Sequence, residues 1–74
     1  MTDHRGVILW AVMEGASPKP YLCIGRVNGG LRDRITESIS VTLVDLEYGE
    51  PIVLLMRDID HLIERESVYW EGES

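Results

Sequence analysis

The sequence contains no phenylalanine and only one cysteine, and its longest apolar run, VILWAVM at residues 7–13, is seven residues long. Without Phe, the large pieces of any core must be Leu, Ile, Val and Met, anchored by two Trp and three Tyr. A single cysteine excludes an intrachain disulfide. Cys23 lies within the apolar stretch YLCIG and reads as a buried, inert thiol, which fits a reducing, cytoplasmic compartment. Seven apolar residues fall far short of the roughly 20 needed to cross a bilayer, so no membrane association is expected. The first residues, MTDHRG, lack the cationic segment and apolar stretch of a signal peptide. Cations are also scarce: seven Lys and Arg stand against 13 Asp and Glu, a net charge of −6. Non-specific nucleic-acid binding depends on clustered cations that displace counterions from phosphates, and direct binding is therefore not expected.

What is present is an ordinary globular balance, with 45% apolar and 27% charged residues. Seventy-four residues make one small domain, 1–74, near the size at which a single core only just suffices. The charge is divided unevenly. Residues 1–36 hold five cations against three carboxylates, a net +2, whereas residues 37–74 hold two against ten, a net −8. Such asymmetry points to a polar partner surface or to a solvated acidic face.

Strand signals dominate. GVILWAVME (residues 6–14) is a continuous apolar run too short for a buried helix, and reads as a strand buried on both sides. GASPKP interrupts it, and YLCIGRVN (21–28) follows as a second strand, antiparallel to the first, with Gly25 marking a bulge. NGG (28–30) is a turn signal, and LRDRITES (31–38) a connector with at most a short helix. SISVTLVDLEY (38–48) alternates with period two: Ile39, Val41 and Leu43 on one face, then Val44, Leu46 and Tyr48 on the other. YGEP is a turn with Gly49 at a special φ, and Pro51 opens a fourth strand, IVLLMR, where its missing N–H matters least. The expected core includes Val7, Leu9, Val12, Leu22, Ile24, Val41, Leu43, Val53 and Leu55.

RDIDHLIERE (57–66) admits three readings. As a helix it places Ile59, Leu62 and Ile63 on one side, with Asp58 as N-cap and Glu64 and Glu66 in water. As a strand, its Ile59, His61, Ile63 and Arg65 face is less apolar. In the third reading, DIDH is a tight 3₁₀-like turn and LIERESVYW a fifth strand. The order within IVLLMRDIDHLIE (52–64), an apolar strand, a turn and two further apolar positions, resembles the second motif of Sm-like and SH3-like small barrels. That resemblance implies a mostly β fold, a small five-stranded antiparallel barrel; the alternative is a ββ–ββα sandwich. The Sm-like RNA-binding set has no counterpart here, because Asp58 and Asp60 occupy the corresponding turn. The charge is closer to that of small acidic Sm-like inhibitors that occupy a host factor's RNA-binding site.

No catalytic set is legible. DIDH offers Asp58, Asp60 and His61, but a divalent metal needs three or four suitably spaced ligands and nothing completes the set. GRVNGG lacks the ending of a phosphate loop, and no serine sits in a nucleophile elbow. We therefore expect no cofactor, no metal and no enzymatic activity. The expected function is a protein–protein interaction module, in its most specific form a phage-type inhibitor whose acidic face mimics nucleic acid and docks on a basic partner surface. Asp58, Asp60, Glu64, Glu66, Tyr69, Trp70 and Glu71 are its candidate contacts, carboxylates for steering and aromatic rings as anchors; Trp70 is equally a candidate core residue. The alternatives are a self-assembling subunit pairing through strand edges near residues 39–48, and a nucleic-acid-binding barrel using Arg5, Lys19, Arg26, Arg32 and Arg34.

Overall fold

The computed structural model describes residues 4–28 and 39–73. Five strands form one antiparallel sheet: β1 (Ile8–Ala11), β2 (Lys19–Asn28), β3 (Ile39–Asp45), β4 (Pro51–Leu55) and β5 (Val68–Trp70), in the order β4-β3-β2-β1-β5. The β1–β2 pairing is present, but the break expected at 15–20 ends sooner and the second strand starts before Tyr21, because Lys19 and Pro20 already pair with Ala11 and Trp10. The register between β2 and β3 shifts between Cys23 and Gly25, the bulge that a strand glycine signals. Pro51 is the first residue of β4, and Gly49 has φ 73°, as the YGEP turn requires. The expected turn at 28–30 and connector at 31–38 lie mostly outside the described residues, apart from Asn28 at the end of β2.

The sheet is open, which corrects the barrel. Every neighbouring pair is antiparallel, so β4 and β5 run in the same direction at opposite edges. Closing the ring would require them to pair in parallel. Instead the chain between them is helical, α1 (Met56–Glu64), and crosses one face of the sheet. A hairpin suffices for an antiparallel pair, but parallel strands at opposite edges need a crossover, and a helix supplies it. The 3₁₀ turn leading into a long fifth strand is corrected with it: β5 is only three residues.

Helix α1 starts directly from β4. Leu55 is its N-cap, with no side-chain cap, so Asp58 is not the cap but a first-turn acid, where the helix dipole favours negative charge. At the other end Ser67 N–H donates to the Leu62 carbonyl and Glu66 N–H to that of Ile63, a Schellman closure with Glu66 at φ 59°.

The core lies between α1 and the sheet. Leu9, Cys23, Val41, Leu43, Ile59, Val68 and Trp70 are buried, and Val7, Ala11, Tyr21, Leu54, Met56, Leu62 and Ile63 pack against them. Leu22 and Leu55 are only half-buried, and three expected core residues are solvent-facing: Val12 and Ile24 are each 52% exposed and Val53 63%. The physical reason is that α1 covers one face only. Residues 6–14 are accordingly not a strand buried on both sides, and β1 is limited to four residues. Likewise β3 ends at Asp45, so Leu46 and Tyr48 sit in the following turn, exposed, rather than continuing a strand face.

Candidate interaction surfaces

Two chemically opposite surfaces result from this arrangement. The first is the outer side of α1. Ile59 is fully buried and Met56, Leu62 and Ile63 hold the helix to the sheet, which leaves Arg57, Asp58, Asp60, His61 and Glu64 exposed. His61 Nδ1 lies 3.8 Å from Glu64 Oε2, both well solvated. Glu66 continues this surface at the C-terminal end of the helix.

The expected contact set is not brought together as one patch. Asp58, Asp60, Glu64, Glu66 and Glu71 are exposed, but strand alternation sends Tyr69 and Trp70 to opposite faces. Trp70 is only 4% exposed, so of its two readings the core one holds. His4 stacks on it, ring centroids 4.1 Å apart and nearly parallel. The His4 Nε2 donates to Glu73 Oε2 at 2.7 Å, and its Nδ1 is buried with no partner among the described residues. Thus His4 is docked against the chain.

The second surface was not anticipated. Leu9, Tyr21, Cys23, Val41, Leu43, Leu54, Val68 and Trp70 fall on the α1 side by register. The opposite side takes Ile8 and Trp10 from β1, Pro20, Leu22, Ile24 and Val27 from β2, and Ser40, Thr42 and Val44 from β3. It is completed by Pro51, Val53 and Leu55 from β4 and Tyr69 from β5. Among the described strand residues this face carries no formal charge, and its only hydroxyl side chains are Ser40, Thr42 and Tyr69. Val12 extends it past β1, its N–H bonded to the Ser67 carbonyl. Ile24, Val27 and Val53 are more than half exposed. The signal for it was legible in the unbroken apolar runs of residues 7–13 and 51–56. Such runs mark strands flanked by apolar surroundings on both sides, and here one side has no cover among the described residues.

A polar cluster closes one end of the sheet. Asp45 is buried; its Oδ1 accepts from the Glu47 and Tyr48 N–H groups at 2.8 and 3.2 Å, and its Oδ2 lies 2.9 Å from Lys19 Nζ. The hydrogen bond from Lys19 holds the Asp45 carboxyl below its ordinary range, helped by those two backbone donors, and Asp45 in turn raises Lys19. Lys19 also sits over the Tyr21 and Tyr48 rings at 5.5 and 5.1 Å. Of the five cations of the nucleic-acid reading, Lys19 is therefore committed internally, and Arg32 and Arg34 lie outside the described residues.

Among the described residues no group of three or more His, Cys, Asp or Glu could hold a metal, and no helix is long and apolar enough to cross a membrane. Compared with known protein families, with curated proteins and with solved structures, the chain matches none.

Proposed function

We propose that this chain is a non-enzymatic protein–protein interaction module that binds through the uncharged apolar face of its sheet. One observation carries the reading: apolar side chains line both faces of the sheet, and α1 covers only one. Apolar patches of this kind on small proteins mark contact surfaces. A cytoplasmic location fits the single, buried cysteine.

A second reading rests on a different observation, the exposure of Asp58, Asp60 and Glu64 along the outer side of α1. In it the acidic helix docks on a basic partner surface and competes there with nucleic acid, as an inhibitor would. Capture from cells of the source organism with three baits separates the two readings. The baits are the unmodified chain, an Ile24→Lys/Val53→Lys variant and an Asp58→Lys/Asp60→Lys/Glu64→Lys variant, each checked for folding by circular dichroism. Partners lost only with the sheet variant support the apolar face. Partners lost only with the helix variant replace it with the acidic reading.

A further inference from the structure

We infer that the occupant of the open sheet face is a second copy of this chain, the two sheets packing face to face about a twofold axis. The inference rests on the reading that this face is the binding surface, and four observations choose the occupant.

The first is charge. The chain has a net charge of −6, yet the strand positions of this face, among the described residues, carry none. A charged partner would find nothing there to select it. A second copy meets no like charge at the contact, and an uncharged apolar face is complementary to itself, as a twofold interface requires.

The second is where the negative charge does lie. Asp58, Asp60 and Glu64 are on α1, behind the sheet. Packing two open faces together puts both acidic helices on the outside of the assembly, as far apart as the two copies allow. Mutual repulsion is then weakest in this arrangement, and falls further with screening by salt.

Size is the third. Strands lie about 4.8 Å apart and rise about 3.3 Å per residue, so these five strands tile roughly 460 Å² of sheet plane. Side chains standing off the plane expose more than its projected area, and Val12 adds apolar surface at the rim. The projected area falls short of the about 600 Å² per partner at the lower end of stable interfaces, so the contact is that of a weak, concentration-dependent dimer.

The fourth is the size of the core. Seven buried apolar residues among those described make a thin core, and chains this short commonly gain stability by association. Two sheets packed about 10 Å apart, with strands within about 30° of each other, would build a second core from Trp10, Leu22, Ile24, Val44 and Val53. The assembly becomes four layers, helix, sheet, sheet and helix.

The test is sedimentation velocity on the full chain from about 1 µM to about 200 µM, with circular dichroism as the folding control. The expected mass at the upper concentrations is twice the 8.4 kDa of one chain. Ile24→Lys/Val53→Lys should weaken association by at least about 100-fold, giving monomer mass with an unchanged dichroism spectrum. The helix variant Asp58→Lys/Asp60→Lys/Glu64→Lys should remain dimeric. If the double sheet variant is unfolded, Val27→Lys alone, at a 64% exposed position, takes its place. A monomeric unmodified chain at about 200 µM overturns the inference, as does a dimer indifferent to the sheet substitutions. The failure of the broader reading looks different. A monomer whose captured partner is still lost with the sheet variant keeps the face as the binding surface and changes only its occupant. A monomer whose capture is unaffected removes both.

Discussion

Asp45 and Lys19 join the ends of three strands at the one buried charged position among the described residues. Asp45 caps the β3–β4 turn through the Glu47 and Tyr48 N–H groups and meets Lys19 from the start of β2. Nothing in SISVTLVDLEY distinguishes this aspartate from a solvated one, because its partner is 26 positions away in the chain. We predict that Asp45→Asn lowers the melting temperature at neutral pH. The lowered pKa of Asp45 makes its contribution fully present above the unfolded carboxyl value, near pH 4, and lost as pH falls through the folded one. The raised pKa of Lys19 keeps its side of the pair intact up to about pH 10, and lost above that. Melting curves of the two proteins should therefore differ by a constant amount from about pH 5 to about pH 9. The difference should shrink at both extremes, and a constant offset down to pH 2 would rule out this pairing as its source. In the core, Leu43→Ala should cost about 2–5 kcal/mol by denaturant unfolding, since Leu43 is almost wholly buried.

At the scale of elements, α1 shows what local pattern can and cannot decide. The positions of Ile59, Leu62 and Ile63 suit a helix, and the side they form is the side buried. The same segment was compatible with a turn and a strand because nine residues are too few to form a stable helix alone. Packing against the sheet decides between them. The C-terminal closure carries a local cost: Glu66 adopts a left-handed conformation that glycine adopts without strain. Glu66→Gly is predicted to stabilise the chain by about 0.5–1 kcal/mol, raising the melting temperature by roughly 4–8 °C per kcal/mol. A loss of stability would mean that the Glu66 carboxylate contributes more than its backbone costs.

For the whole molecule, the strand order determines which residues can act together. Strand alternation puts Tyr69 and Trp70 on opposite faces, and the order with its helical crossover buries the latter and places the acidic helix and the open apolar face on opposite sides. Association through that face has a spectroscopic consequence, because Trp10 lies on it and Trp70 does not. In a Trp70→Phe variant shown to fold, the emission of Trp10 should move to longer wavelength on dilution, as the ring returns to water. An emission maximum independent of concentration across the sedimentation range would count against burial of Trp10 in a dimer.

The sequence alone determined the strand-rich class, a break between the first two strands, the bulge at Gly25, the turn at Gly49 and the alternation that buries Val41 and Leu43. Each of these depends on residues within a few positions of one another: period-two apolarity, ring constraint at proline, and positive φ at glycine. Only the tertiary structure decided that the sheet stays open, that Val12, Ile24 and Val53 face outward and that Lys19 meets Asp45. Those outcomes depend on strand order and on which face α1 crosses. An apolar run reports that both faces of a strand are suited to burial. Whether anything covers the second face depends on how distant elements pack, and among the described residues the one helix, α1, covers the other.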